Sequence, residues 1–278
     1  MQNIRIIEKV FTGQSTSDGA GVKLRRIFGF AEEGLLDPFL LLDFFGSDNP
    51  DDYVGGFPWH PHRGIETVTY LLEGSVEHGD SMGNSGVISR GDVQWMTAGS
   101  GIIHQEMPKP ADGRMYGFQL WVNLPKSHKM MPPRYREVPA GEIPSVKSPG
   151  GAEVKVIAGE YGGITGPVRE IVADPSYFDI NIPPDSELEI PVNPGYTAFV
   201  VLFEGEADFG GILKAGQGAL MADGDIIRIK TTDSSVRFVL VSGKPIKEPI
   251  AWRGPIVMNT MDELAVAFRE YREGTFIK

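Results

Sequence analysis

Short runs of alternating hydrophobic and polar residues, each closed by glycine or proline, recur along almost the whole chain. The clearest runs cover residues 66–72, 92–96 and 118–122 in the first half and residues 177–182 and 198–203 in the second. They are rich in β-branched and aromatic side chains, which strands favour. The 35 glycines and 21 prolines are spread evenly, so turns come often. This pattern predicts an all-β protein built as a sandwich or barrel.

One helix is predicted near the end of the chain. Thr260 and Glu263 stand at the spacing of a capping box, in which each side chain bonds the backbone N–H of the other residue. Leu264, Ala267 and Phe268 follow at helical spacing. We therefore expect a short C-terminal α-helix that packs an apolar stripe on a barrel.

The length of 278 residues is enough for two domains of ordinary size. A proline- and glycine-rich stretch interrupts the strand pattern in the middle of the chain. We predict an N-terminal domain over residues 1–133, a linker over residues 134–150 and a C-terminal domain over residues 151–278, which includes the helix. Residues 66–74 resemble residues 197–205, so the two domains are predicted to be copies of one barrel.

Composition removes several classes of function. The chain has no cysteine, which excludes disulfides, thiolate nucleophiles and cysteine-bound metal clusters. A net charge of -11 opposes approach to a phosphate backbone, so we expect no direct nucleic-acid partner. No apolar run approaches the roughly 20 residues of a membrane-spanning helix, and the N-terminus lacks the apolar stretch of a secretory signal. We expect a cytoplasmic protein that does not bind membranes.

Three of the five histidines stand in two short motifs that could hold a metal. Side chains two apart in a strand share one face, so His60 pairs with His62 and His104 pairs with Glu106. Two such pairs on facing strands can converge inside a barrel and surround one divalent transition metal. Three imidazoles and one carboxylate suit iron, copper, nickel, manganese or zinc and suit calcium poorly. We predict this site in the N-terminal domain.

Four residues near these motifs are further candidates. Glu66 follows His62 by four positions and should face the same side. It could bind the metal, bond a residue that binds the metal, or be a hydrogen-bonded strand residue, and we favour the second role. Phe57, Trp59 and Met96 are close to the motifs in sequence and could line an apolar pocket, although we favour core packing for each.

The two remaining histidines have a different interpretation. His78 follows Glu77 in a region rich in glycine, serine and aspartate, and His128 lies in the basic stretch 126–129. Both are predicted to be solvated surface residues.

The internal repeat predicts that the second copy lacks the metal ligands. Extending the first match backward sets Pro191 and Asn193 against His60 and His62. A second match, between residues 90–92 and 223–225, sets two further residues against His104 and Glu106, namely Arg237 and Val239. The second domain therefore keeps the strands and loses every candidate ligand.

The two motifs resemble those of the cupin superfamily. The first cupin motif is matched, with a shorter gap after its first glycine, by Gly56, His60, His62, Glu66 and Gly74. The second motif departs from the usual pattern, since Ala98 replaces a proline and Pro108 replaces an asparagine. These departures, together with runs along nearly the full length, closely resemble the pirin family; the runs are residues 60–64, 71–74, 94–99, 120–124 and 254–260.

The resemblance implies a fold of two tandem cupin barrels of the double-stranded β-helix, or jelly-roll, type. It implies one metal ion in the N-terminal barrel, iron(II) by analogy with pirins, with copper, nickel, manganese and zinc as alternatives. The ion would be held by His60, His62, His104 and Glu106. The C-terminal barrel would be free of metal.

The resemblance also implies two functions. Some pirins have quercetin 2,3-dioxygenase activity, which would make the chain an oxidoreductase that cleaves a flavonol with O2, with Glu106 as the catalytic base that takes the proton of the 3-hydroxyl. The alternative is a non-enzymatic, iron-dependent regulator that binds a protein partner, since the eukaryotic namesake is a transcriptional co-regulator and bacterial relatives control metabolic enzymes by contact. We favour the dioxygenase, because nothing in the sequence resembles a nuclear import run of lysine and arginine.

Overall fold

Strands make up most of the described chain, which comprises residues 3–110 and 113–278 of a computed structural model. The chain divides into two units. We call Gln14–Ala140 with Ile246–Lys278 the histidine unit, and Met1–Gly13 with Gly141–Pro245 the apolar unit. The architecture confirms the predicted all-β class with a C-terminal helix.

The elements follow one another in this order. The apolar unit begins with β1 (Ile4–Arg5) and β2 (Ile7–Thr12). The histidine unit continues with β3 (Gln14–Asp18), β4 (Val22–Phe28), β5 (Phe39–Ser47), β6 (Phe57–His62), β7 (Ile65–Glu73), β8 (Ser75–Asp80), β9 (Ser85–Ser89), β10 (Val93–Thr97), β11 (Ile102–Lys109), β12 (Met115–Asn123) and β13 (Arg134–Val138). Short 3-10 turns lie at Phe30–Glu32, Pro50–Asp52 and Ala140–Glu142.

The second half of the chain repeats this plan. The apolar unit resumes with β14 (Ser145–Lys147), β15 (Glu153–Ala158), β16 (Glu160–Tyr161), β17 (Ile164–Thr165), β18 (Ser176–Ile182), β19 (Glu187–Pro191), β20 (Thr197–Glu204), β21 (Glu206–Asp208), β22 (Ile212–Lys214), β23 (Gln217–Met221), β24 (Ile226–Thr231) and β25 (Val236–Gly243). The histidine unit then takes up β26 (Ala251–Arg253), β27 (Ile256–Met258) and the helix α1 (Met261–Glu273).

The sheets of the two units have matching strand orders. In the histidine unit, a large sheet runs β13, β10, β7, β12, β5, β4, β3 and a smaller one runs β6, β11, β8, β9. In the apolar unit, the large sheet runs β2, β23, β20, β25, β18, β15, β14, while β24 of the smaller sheet pairs with β19, β21 and β1. Apart from the two-residue β1, which has no counterpart, the orders correspond position by position, which supports the predicted duplication.

The units depart from the predicted domain boundaries in three places. Residues 1–13 belong with the second barrel, and residues 246–278, including α1, belong with the first. Residues 134–138, predicted as linker, form β13 and pair with β10. The pairing of the edge strands explains the first and third differences. In the histidine unit, β13 pairs with β10 at the edge of the large sheet and follows the other strands of that sheet in sequence. In the apolar unit, β2 takes the equivalent place beside β23, although it comes from the start of the chain.

A buried arginine holds the N-terminal segment in the apolar unit. The side chain of Arg5 is 1% exposed, and its guanidinium donates hydrogen bonds to the carbonyl oxygens of Gly224, Tyr196 and Asn193 at 2.9–3.0 Å. These bonds satisfy donors that would otherwise be costly to bury.

The counterparts of the candidate ligands in the apolar unit are apolar. In the histidine unit, His60 lies opposite His104 across β6 and β11. In the apolar unit, the corresponding buried pair across β19 and β24 is Ile190 opposite Ile227. Glu106 follows His104 by two positions on β11, and its counterpart on β24 is the buried Ile229. These side chains belong to the hydrophobic core of the apolar unit.

The structure therefore corrects the residues of the internal alignment. Arg237 and Val239 lie on β25, the counterpart of β12, and not on the counterpart of β11. The sequence alignment failed because it matched the turn at residues 90–92 to the wrong turn of the second copy; the turn before β23 corresponds to it, whereas residues 223–225 precede β24.

The helix α1 forms as predicted. The Thr260 hydroxyl accepts a hydrogen bond from the Glu263 backbone N–H at 3.2 Å, and the Glu263 carboxylate accepts one from the Thr260 N–H at 3.0 Å. Leu264 and Ala267 are buried in one cluster with residues of β27 and the C-terminal tail. Gly274 ends the helix in the left-handed conformation, with φ 71°. No helix within residues 3–110 and 113–278 is long and apolar enough to cross a lipid bilayer.

Candidate metal centre

Two neighbouring strands bring the three histidines of the motifs together. β6 carries His60 and His62, and antiparallel pairing with β11 sets His104 directly opposite His60. The turn after β6 needs glycine, since Gly64 has φ 77° and a Cβ at this position would collide with the carbonyl oxygen of Val257.

The ring nitrogens converge on one point. One ligand nitrogen from each of His60, His62 and His104 lies within 4.8 Å of the others. The closest pair is Nε2 of His60 and Nε2 of His62, 3.1 Å apart. The ring centroids of His60 and His104 are 4.3 Å apart. This geometry defines a histidine triad.

The imidazole rings of the triad are neutral, and the ring nitrogens of His104 have no hydrogen-bond partner among the described residues. Burial, followed by the neighbouring His60, lowers the pKa of His62 to about 3. Burial also lowers the pKa of His104 well below its usual range, with the neighbouring histidines adding to the effect. His104 is fully buried, yet neither ring nitrogen has a hydrogen-bond partner. Neutral imidazole nitrogens carry lone pairs that can bind a transition metal, and here they face one another with no N–H group between them. The three residues therefore fit a bound ion.

Backbone carbonyls set the orientation of two of the rings. Nδ1 of His60 donates to the carbonyl oxygen of Pro58 at 2.9 Å, and Nδ1 of His62 donates to that of Pro255 at 3.1 Å. A carbonyl only accepts, so each contact places the proton on Nδ1 and leaves the Nε2 lone pair free for a metal. Pro255 belongs to the C-terminal segment of the histidine unit.

A buried lysine ties the same segment to the turn after β6. Lys129 is 1% exposed, and its ammonium donates to the carbonyl oxygens of Gly64 and Val257 and to Oδ1 of Asn123 at 2.7–3.0 Å. Burial lowers the pKa of Lys129 to about 7, while three acceptors match the three N–H groups of the charged form. The sequence placed this residue in a basic stretch and gave no sign of its burial.

Glu106 lies outside the triad. The cluster of mutually close ligand atoms contains the three histidines and leaves this carboxyl out. Oε1 of Glu106 instead lies 2.8 Å from the Thr69 hydroxyl, which is also 2.7 Å from Oε1 of Gln119. Burial raises the pKa of Glu106 to about 7, against the opposing effect of the Thr69 hydrogen bond. Its role as a fourth ligand stays a prediction.

The raised pKa makes a stability prediction for the metal-free protein. Between pH 4.5, the ordinary pKa, and about 7, the unfolded chain loses the Glu106 proton while the folded chain keeps it, so stability falls as pH rises. We expect Glu106→Gln to raise the free energy of unfolding at pH 8 by about 3 kcal/mol and to have little effect at pH 4.5. Urea unfolding of chelator-treated protein at both pH values measures this. An equal effect at the two values would contradict the assignment.

Glu66 is buried, but its contacts run to another part of the barrel. Its Oε1 accepts a 2.6 Å hydrogen bond from the Thr97 hydroxyl and lies 3.7 Å from the guanidinium of Arg134. The even-numbered position places it on the opposite face of β7 from Thr69, which faces Glu106. The predicted common face with His62 fails because a turn at residues 63–64 interrupts the alternation between β6 and β7.

The three predicted pocket residues have separate environments. Phe57 lines the cavity beside the triad, with its ring 6.5 Å from that of His60. Met96 is fully buried in a core cluster with Ile65 and Ile102. Trp59 is 53% exposed. The structure thus places one of the three on the cavity wall.

His78 is buried, contrary to the predicted surface position. It is 1% exposed on β8, opposite Glu106 in register. Its Nε2 lies 3.3 Å from a carboxylate oxygen of Asp80, and its ring stacks on that of Tyr135 at 4.6 Å. Val76, His78 and Asp80 are two residues apart and share the buried face of β8. This spacing is typical of a strand, but the glycine and serine residues nearby led to the prediction of a turn. His128 is half-buried, with Nδ1 2.8 Å from the Ser127 hydroxyl.

A cavity of about 570 Å³ opens beside the triad. His60, His62 and Glu106 form part of its wall. The sequence did not identify the rest of the lining, which includes Arg26, Phe30, Asp43, Phe45, Gln119, Trp121 and Trp252. In the sequence, the only sign of this lining was the presence of polar residues such as Gln119 within otherwise apolar strands.

Two cupin barrels, of which one carries a metal-binding histidine triad, define the class of the protein as a metal-binding bicupin. The chain belongs to the pirin family. The family's sequence pattern, Pirin, matches residues 21–122, and the pattern of the Pirin C-terminal cupin domain matches residues 177–277.

Similar proteins span the full length of the chain. A pirin-like protein from Caulobacter vibrioides is 45% identical over 98% of this chain and 99% of its own length. Pirin from Homo sapiens is 41% identical over 92% of this chain and 88% of its own length. The crystal structure of quercetin 2,3-dioxygenase from Acinetobacter baumannii, 32% identical, has a TM-score of 0.91 and covers 99% of both chains.

Proposed function

We propose that the protein is a metal-dependent dioxygenase that cleaves a flavonol of the quercetin type with O2. The observation that carries this proposal is the cavity of about 570 Å³ whose wall contains two triad histidines and a buried carboxyl. This volume lies in the range that binds small organic ligands. The likeness over 99% of both chains to a protein named quercetin 2,3-dioxygenase supports the same activity.

His60, His62 and His104 would hold the metal through ring nitrogens, and we propose iron(II) as the native ion. When bound, the ion supplies Lewis acidity toward a substrate oxyanion and one-electron redox chemistry toward O2. The carbonyls of Pro58 and Pro255 keep two of the rings in the tautomer that this requires.

Glu106 would act as the general base. A catalytic base works best with a pKa near the working pH, and burial raises the pKa of Glu106 to about 7. Its position on the cavity wall lets a carboxylate oxygen take the proton of the flavonol 3-hydroxyl, and the contact of 2.8 Å with Thr69 Oγ1 fixes the place of the carboxyl group. The aromatic rings of Phe57 and Trp121 on the same wall exclude water.

The test is turnover by protein that has been loaded anaerobically with iron(II). We expect loss of flavonol absorbance and release of carbon monoxide when quercetin and O2 are added. Glu106→Gln should lower kcat by at least about 100-fold. Glu77→Gln, the same change at an exposed carboxylate on the neighbouring β8, should leave kcat unchanged. Metal-loaded protein that consumes no flavonol would refute the proposal and favour the metal-dependent regulator with a protein partner.

A further inference from the structure

A row of polar side chains crosses the wall of the cavity away from the histidines. Arg26 on β4 lies opposite Asp43 on β5, Asp43 lies opposite Gln119 on β12, and Gln119 lies opposite Thr69 on β7. Side chains that face one another across neighbouring strands share one face of the sheet. The row therefore runs from the partly exposed Arg26 to Thr69, whose hydroxyl contacts Glu106.

The row offers hydrogen-bond donors to the cavity. Nε and Nη2 of Arg26 each donate to Asp43 at 2.8 Å, and Nη2 also donates to Asp18 at 3.0 Å. Within the described part of the chain, Nη1 of Arg26 and Nε2 of Gln119 have no hydrogen-bond partner, although each carries two N–H groups. Both side chains line the cavity.

The charge of the row disfavours an anionic ligand. The Asp18 and Asp43 carboxylates bracket the single guanidinium of Arg26, so this group of three carries a net charge of -1. A ligand carboxylate would meet this negative charge. A hydroxyl group suits the wall better, because it can accept from Gln119 or Arg26 and can also donate to Asp43.

Aromatic rings on the same cavity favour a flat ligand. The Trp121 and Trp252 ring centroids are 6.0 Å apart, and Phe30 meets Trp252 edge-on at 5.4 Å. All three residues line the cavity. A planar ring system can pack against these faces with its polar groups directed at the row.

We propose that the polar row, through the Gln119 amide, selects planar ligands that carry neutral hydroxyl groups on the rings remote from the histidines. Gln119 would thus determine specificity without taking part in the chemistry at the triad. The inference rests on the proposed function in taking a flavonol as the ligand.

Binding of matched ligands tests the inference. Isothermal titration calorimetry of metal-loaded protein without O2 compares quercetin with 3-hydroxyflavone, which keeps the 3-hydroxyl and lacks the others. Loss of one hydrogen bond in Gln119→Met should raise Kd for quercetin about 5- to 10-fold. Kd for 3-hydroxyflavone should change less than about 2-fold, which also shows that the cavity is intact. Gln14→Met is the control, because Gln14 lies in the same row at its exposed end.

A charge variant gives an independent measurement. Asp18 is 56% exposed, so Asp18→Asn should fold normally and bring the net charge of the group from -1 to zero. We expect tighter binding, by about 2- to 5-fold, of a 3-hydroxyflavone that carries a carboxylate on its pendant ring.

Three results would overturn the inference: wild-type protein that does not bind quercetin, equal effects of Gln119→Met on both ligands, or stronger binding of the carboxylated ligand than of quercetin. The outcome is separable from that of the proposed function. Protein that discriminates the ligands but consumes neither with O2 contradicts the dioxygenase and supports the role of Gln119. Protein that consumes quercetin with O2 but binds the two ligands equally supports the dioxygenase and contradicts the role of Gln119.

Discussion

Replacing His104 by isoleucine should abolish metal binding and at the same time stabilise the metal-free protein. His104 supplies one of the three converging nitrogens, so its loss leaves two, and we expect metal content to fall from about one ion per chain to less than about 0.1. Both ring nitrogens are buried without a partner, a cost of about 1–3 kcal/mol that the substitution removes. The counterpart position in the apolar unit already holds an isoleucine, Ile227.

Elemental analysis gives the metal content, and urea unfolding of chelator-treated protein gives the stability. His128→Gln is the matched control, because His128 is half-buried and lies outside the triad. A His104→Ile protein that retains a full complement of metal would remove the basis for the site. A large loss of stability in the metal-free state would contradict the prediction, because it would show that the His104 ring nitrogens have stabilising partners.

Replacing Arg63 by alanine should release the C-terminal segment from the histidine unit. Arg63 is 1% exposed; its guanidinium donates to the carbonyl oxygens of Ser100 at 2.6 Å and Phe276 at 2.8 Å, and it pairs with Glu270 at 2.7 Å. It also lies 4.2 Å from the centroid of the Phe276 ring. Removing one partner of such a buried network costs about 3–5 kcal/mol.

Hydrogen exchange in α1 is the measurement, because a chain of two units need not unfold in one step. We expect protection in α1 to fall by at least about 100-fold. Metal affinity should fall about 10- to 100-fold, since the same segment carries the Pro255 carbonyl that orients His62. Arg272→Ala is the control, because this arginine is exposed in the last turn of the same helix. Unchanged exchange in α1 would show that Arg63 does not anchor the segment.

Strands, the helix start and the histidine pairs could be predicted from the sequence, because each depends on residues that are close together in the chain. The alternation at residues 66–72 lies within β7, and the capping box at Thr260 begins α1 at Met261. The two histidine pairs also came from a local rule, since residues two apart on one strand share a face. His60, His62 and His104 converge as that rule requires.

Features that depend on pairing between distant residues could not be predicted in the same way. The exchange of β2 and the C-terminal segment between units leaves no local signal. Burial of His78 depends on the β11 strand beside it, and the face of Glu66 depends on a turn that resets the alternation. The row that contains Gln119 exists only once the register of four strands is known.

The interleaving of the two units along the chain fixes when the metal site can be completed during synthesis. The ribosome makes His60, His62 and His104 early, but it must then produce all of residues 141–245 before the Pro255 carbonyl emerges. A nascent chain that stops short of this point has the histidines without the group that orients His62. The hydrogen bond that orients His62 can therefore form only after the residues of both barrels have been translated.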